Sequence, residues 1–73
     1  KFKTMIVTTT MINAEQYAQS LEATAKMNHG TNWTWIYFKD RNNGELFIQY
    51  LDKNDLEHRG IYTNDTGVGI RFR

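Results

Sequence analysis

The clearest pattern in this chain is a short, nearly continuous apolar run bounded by turn residues, which is typical of a strand. It occurs in residues 33–38 and again in residues 46–51, and both runs are rich in aromatic side chains. Between them lies Asn43-Gly44, a frequent turn sequence in hairpins. We therefore predict a β-hairpin whose register is set by a three-residue loop over residues 42–44.

The register of this hairpin assigns its bulky side chains to two faces of a sheet. One face carries Ile36, Phe38, Leu46, Ile48 and Tyr50. The other face carries Trp33, Trp35, Tyr37, Phe47, Gln49 and Leu51. A domain this small buries one side of a sheet well, so part of the second set should remain exposed. A large exposed apolar patch indicates an interaction surface.

The remaining pattern predicts a strand, a helix, a short helical turn and a second hairpin. Thr4–Met11 is rich in β-branched residues and is predicted to be a strand. A capping box that begins at Asn13 predicts the start of a helix, and Gly30 predicts its end. Residues 54–60 predict one helical turn, and residues 61–73 predict two strands around Asn64-Asp65-Thr66-Gly67.

The predicted order, β-α-β-β-(short turn)-β-β, makes residues 1–73 a single α+β domain with one helix packed on a small antiparallel sheet. The chain has no cysteine, which removes disulfides and thiolate metal sites. Its net charge of +1 disfavours both a strongly basic duplex binder and an acidic mimic of DNA. Without a membrane-spanning run or a signal pattern, we expect a soluble, cytoplasmic protein.

The candidate catalytic and metal-binding residues are explained more simply as residues of turns. His29 and His58 fall in polar loop segments, and the aspartates fall in turns or at strand ends. The spacing Asp40-x-Asn42-x-Gly44 lacks the later glutamate that a calcium loop needs. Nucleophile elbows, zinc helices and phosphate loops are absent from the sequence. We expect a protein that is not an enzyme and has no cofactor or metal.

The segment Asn43–Tyr50 resembles the RNP1 octamer of RNA-recognition-motif proteins. Gly44, Phe47 and Ile48 match that pattern, as does the final tyrosine. The resemblance implies that this segment is a strand of an open sheet on which unpaired bases stack.

A nucleic-acid-binding function would use aromatic and basic residues together. On the RNP1 resemblance, Phe47 would be the central stacking platform, flanked by Trp35 and Tyr37. Arg71 and Arg73 end the chain on one face of the last predicted strand, where they could contact phosphates. The sequence therefore supports single-stranded nucleic-acid binding as an alternative function.

The overlapping segment 43–47 is similar to the peptide with which bacterial replication proteins enter the groove of the DNA sliding clamp. Leu46 and Phe47 match its apolar pair, and Glu45 matches its acidic option. A compact domain with exposed aromatic residues and no set of catalytic residues also resembles small phage-encoded proteins that disable host machinery. The resemblance implies that Leu46 and Phe47 would enter the clamp groove.

We therefore expect a non-enzymatic protein-binding module, specifically a phage-type inhibitor of a host replication protein such as the sliding clamp. Its predicted anchors are Trp33, Trp35, Tyr37, Leu46 and Phe47. Binding of single-stranded nucleic acid is the alternative. A homodimer that buries the aromatic face against its copy is compatible with either function.

Overall fold

A computed structural model describes the backbone of residues 2–28 and 33–73. Within these two ranges it describes the side chains from position 10 onward, except those at positions 25, 27 and 28. The elements, in chain order, are helix α1 (Phe2–Ser20), strands β1 (Ala23–Asn28) and β2 (Thr34–Phe38), helix α2 (Arg41–Lys53), and strands β3 (His58–Asn64) and β4 (Gly67–Phe72). The predicted α+β class is confirmed. The predicted element order is wrong, because the observed order is α-β-β-α-β-β.

The four strands form one antiparallel sheet in the order β1-β2-β4-β3. The predicted second hairpin is present as β3 and β4, and the Asn64 side chain stabilises the turn between them. Asn64 Oδ1 accepts hydrogen bonds from the backbone N–H groups of Thr66 at 2.9 Å and Gly67 at 3.3 Å. Gly67 has a φ of +139°, which glycine adopts without steric cost.

The predicted first hairpin is wrong, because β2 pairs with β1 and β4 and residues 46–51 lie in α2. The buried residues of α2 are Gly44, Phe47 and Leu51, which recur at intervals of three and four. That spacing describes one face of a helix. The apolar run 46–51 predicted a strand, but it fits a helix as well, and the helical period decides which of its side chains reach the core.

The Asn43-Gly44 pair allows close helix packing instead of forming a hairpin turn. Asp40 caps the N-terminus of α2, since its carboxylate accepts from the backbone N–H of Asn42 at 2.9 Å. A Cβ at Gly44 would lie 2.9 Å from Val68 Cγ1 on β4, closer than such contacts normally come. The glycine therefore lets α2 approach the sheet.

Helix α1 replaces the predicted strand Thr4–Met11, and it begins well before the predicted helix start at Asn13. Helix propensity differs by less than about 1 kcal/mol between ordinary residues, so a β-branched run does not exclude a helix. Ala14 and Ala18 of α1 are fully buried. Their small size lets α1 pack closely against the core.

The end of α1 also differs from the prediction. The helix ends at Ser20, whose hydroxyl donates to Tyr17 O at 2.6 Å, and Glu22 follows in the left-handed conformation at φ 62°. The predicted terminator Gly30 and the predicted loop residue His29 lie outside the described residues. The predicted helical turn over residues 54–60 is wrong, because Asn54 caps α2 and β3 begins shortly afterwards.

The core lies between the two helices and one face of the sheet. Its buried members are Ala14, Ala18, Ile36, Phe38, Phe47, Leu51, Leu56, Val68, Ile70 and Phe72. The ring of Phe47 stands edge-on to Phe72 at 5.2 Å and tilted to Phe38 at 5.4 Å between centroids. These phenylalanine rings join α2 to both central strands.

Candidate functional site

Alternation along the strands gives the sheet a second face with a different composition. Side chains at even positions of β2 and β4 enter the core, and their neighbours point away from it. The side chains on the far side that form the open face are Trp33, Trp35, Tyr37, Arg59, Tyr62, Arg71 and Arg73. Both helices pack on the core face, so neither covers the open face.

The aromatic residues of the open face lie in contact across three strands. The Trp35 and Tyr37 rings are nearly parallel, with centroids 5.9 Å apart and an interplanar angle of 14°. Tyr62 meets Trp35 edge-on at 6.1 Å and is 56% exposed. Tyr37 is only 5% exposed, because its ring lies over Gly69, where a Cβ would be 2.7 Å from Tyr37 Cε2. Tyr37 is thus the packed floor of this surface.

Three guanidinium groups surround the ring of Trp33. The guanidinium carbons of Arg59 and Arg71 lie 5.4 Å from the ring centroid, and that of Arg73 lies 4.2 Å from it. Arg71 also lies 5.4 Å from the Trp35 ring, so it bridges the two indoles. These distances are within the range of attractive cation–π contacts. The contacts hold positive charge against the aromatic surface.

One carboxylate contacts these arginines in the part of the chain that the structure describes. Glu57 Oε1 accepts from Arg73 Nε at 2.9 Å, and its Oε2 lies 3.6 Å from Arg59 Nη2. The hydrogen bond from Arg73 is the main reason that the pKa of Glu57 is lowered from 4.5, and the charges of Arg73 and Arg59 act in the same direction. The Arg73 guanidinium is therefore already paired, whereas the contact to Arg59 is long.

A bulge in β3 brings Arg59 to the open face. Two residues, Arg59 and Gly60, stand opposite Arg71 between the pairs that flank them. Gly60 has a φ of +77°, and its N–H donates to His58 Nδ1 at 3.0 Å. His58 Nε2 lies 2.7 Å from Asp52 Oδ1 on α2. His58 therefore anchors the bulge to the helix layer and is not the solvated loop residue that was predicted.

The bulge borders a cleft on the open face with a volume of about 520 Å³. Its lining residues are Trp35, Tyr37, Arg59, Gly60, Ile61, Tyr62 and Arg71. By the strand register, Tyr37 and Tyr62 lie at one end of the cleft, and Arg59 and Arg71 lie at the other end, beside Trp35. This combination suits a ligand with a flat apolar part and an anionic part.

The structure separates the predicted anchor residues into two groups. Trp33, Trp35 and Tyr37 lie together on the open face, but Phe47 is fully buried in the core and Leu46 is 42% exposed on α2. Phe47 therefore cannot stack on bases or enter a clamp groove while α2 is folded. The RNP1-like and clamp-like segments are both helical here, which removes the strand geometry that the resemblance to the RNP1 octamer implied.

Comparisons with protein-family models, curated proteins and solved structures match this chain to none of them. Within residues 2–28 and 33–73, no group of three potential metal ligands is found. The helices described are too short or too polar to span a bilayer. The interpretation of the site therefore depends on the open face itself.

Two of the residues that complete the open face were not predicted from the sequence. Arg59 and Tyr62 lie on β3, where the alternation is interrupted by the bulge at Gly60. The available signal was Tyr62, a large aromatic residue in a predicted strand, where it must face the side opposite to its apolar neighbour Ile61. Arg71 and Arg73, by contrast, were predicted on one face of the last strand and lie beside the tryptophans.

Proposed function

We propose that this protein binds single-stranded nucleic acid on its open face. The observation that carries the proposal is the convergence of three guanidinium groups on Trp33, next to the Trp35–Tyr37 pair. Aromatic platforms combined with positive charge are what proteins use to hold unpaired bases and their phosphates.

Stacking is the first contribution to binding. Trp33 and Trp35 are partly exposed, and Tyr62 is largely exposed on the edge strand β3. Each base that stacks on such a ring contributes roughly 1–3 kcal/mol. Paired bases in a duplex have no free faces, so we expect duplex DNA to bind more weakly than a single strand.

Charge is the second contribution. Arg59, Arg71 and Arg73 form a local basic patch on a chain whose net charge is only +1. For single strands, each phosphate neutralised contributes about −0.7 to the slope of log K against log salt concentration. Arg59 and Arg71 alone predict a slope of about −1.4, and a phosphate that displaced Glu57 from Arg73 would bring the slope to about −2.

Titration of a mixed-sequence oligonucleotide at low and increasing salt tests the proposal. Both tryptophans of the chain lie on the open face, so quenching of their fluorescence reports binding directly. Arg71→Ala should weaken binding and reduce the salt slope by about 0.7. The matched control is Arg41→Ala, which removes the same charge from α2 and should leave binding unchanged. Absence of binding at low salt, or equal loss in both variants, would refute the proposal.

A protein partner is the second candidate, because Trp, Tyr and Arg are the residue types that dominate binding energy at protein interfaces. On this reading, Trp33, Trp35 and Tyr62 are the anchors, and the bacterial sliding clamp remains a partner to test. Complex formation with the purified clamp that survives high salt and loses about 2 kcal/mol on Trp35→Ala would favour it. Dimerisation through the open face would appear as a concentration-dependent mass in sedimentation.

A further inference from the structure

We infer that the cleft beside the β3 bulge is a subsite for one unpaired nucleotide, with the base against Trp35 and Tyr62 and the phosphate on Arg59 and Arg71. The inference rests on the proposed function and specifies which part of the open face holds each part of the strand. The cleft volume of about 520 Å³ lies within the range of roughly 300–1,000 Å³ typical of small-ligand sites.

The aromatic end of the cleft suits a base. Tyr62 stands at 74° to Trp35 and is 56% exposed on an edge strand, so its ring has room to turn parallel to a stacked base. Tyr37 is packed over Gly69 and forms a fixed floor, whereas the side chain of Ile61 lies on the core side of the sheet, near Gly44. A base in this position contacts ring surface on more than one side.

The cationic end of the cleft suits a phosphate, and the ion pairs decide which arginines serve it. Arg73 is held by Glu57 at 2.9 Å, so a phosphate would have to displace a carboxylate there. Arg59 lies 3.6 Å from the same carboxylate, and Arg71 has no carboxylate within 4 Å among the described residues. Arg59 and Arg71 face each other across the bulge, so they can hold one phosphate between them.

The lining also predicts how selective the subsite is. Its side chains include no carboxamide or carboxylate, which are the groups that read adenine and cytosine edges. Ring faces accept any base, because every base has a π surface. We therefore expect affinities for short oligonucleotides of different base composition to agree within about threefold.

A short DNA oligonucleotide and an abasic strand of the same length test the assignment, measured by tryptophan fluorescence. Tyr62→Ala should weaken binding of the base-bearing strand by about tenfold and leave the abasic strand nearly unaffected. Arg59→Ala should weaken both by a similar factor, and Arg59→Lys should restore part of the loss. Arg41→Ala on α2 is the control for charge alone.

The outcomes separate this inference from the proposed function. If the oligonucleotide binds and Trp33→Ala weakens it while Tyr62→Ala and Arg59→Ala do not, the subsite is wrong and the function stands. If no strand binds to the unsubstituted protein at low salt, both are wrong. A nucleoside 5′-monophosphate that binds as tightly as the oligonucleotide would assign the cleft to free nucleotides and overturn its role in strand binding.

Discussion

The two faces of the sheet both use aromatic residues, but they use different ones. The core face is built on Phe38 and Phe72, with Phe47 from α2 packed between them, and all three are fully buried. The open face carries Trp35, which is partly exposed, and Tyr62, which is largely exposed. Phenylalanine has no polar group to satisfy, whereas the indole N–H and the phenol hydroxyl need partners. The type of aromatic residue therefore distinguishes the faces better than the number of aromatic residues does.

Phe47→Ala should show the largest difference in stability between the two faces. It removes a fully buried ring that packs against Phe38 and Phe72 of the two central strands, so we expect the free energy of unfolding to fall by about 3–5 kcal/mol. Tyr62→Ala should change it by less than about 0.5 kcal/mol, because that side chain is mostly exposed. Urea denaturation of both variants measures the difference. Equal losses in the free energy of unfolding would mean that the open face stabilises the fold as much as the core does.

Gly69→Ala should show that the open face has one packed position. The new Cβ would lie 2.7 Å from Cε2 of Tyr37, so the ring must move, and we expect a loss of about 1–3 kcal/mol. In a Tyr37→Ala background the same substitution should cost less, since the obstructing ring is gone. A denaturation cycle over the four proteins measures this coupling, and additive effects would contradict it.

Glu57→Gln should test the electrostatic role of the open face. The substitution removes the carboxylate that holds Arg73 and contacts Arg59, so Arg73 becomes available to phosphate and Arg59 loses a competing contact. We expect oligonucleotide affinity at low salt to rise by a factor of about two to five. Glu45→Gln, which frees Arg41 on α2, is the matched control and should have no effect. Weaker binding of the Glu57 variant would contradict an anionic ligand.

The smallest predicted effect is the pH dependence of stability from the same residue. The folded-state pKa of Glu57 is lowered, so the unfolded chain takes up the proton first as pH falls. The stabilisation is thus fully present above the unfolded pKa and is lost as pH falls through the folded one. Urea denaturation between about pH 6 and pH 3 should show a shallower decline for Glu57→Gln than for the unsubstituted protein. Identical pH profiles would show that the Arg73 bond does not stabilise the fold.

The sequence predicted the aromatic residues of the open face better than it predicted the element order. Trp33, Trp35 and Tyr37 were expected on one face because strand alternation is local and survives any choice of partner strand. Phe47 was assigned to the same face because the apolar run 46–51 was predicted to be a strand, in which successive side chains alternate between faces. The segment folds as a helix, since Asp40 caps it and its glycine allows close contact with β4.

By itself the sequence determined the α+β class, the last hairpin and the separation of Trp35 from Phe38, because turn chemistry and a period of two act over neighbouring residues. Only the tertiary structure decided that residues 46–51 are helical and that Arg59 lies beside Arg71. An apolar run of that length fits both a strand and a helix, and the packing it achieves against the sheet selects one. The position of Arg59 depends on a bulge anchored by His58 to a different layer of the fold.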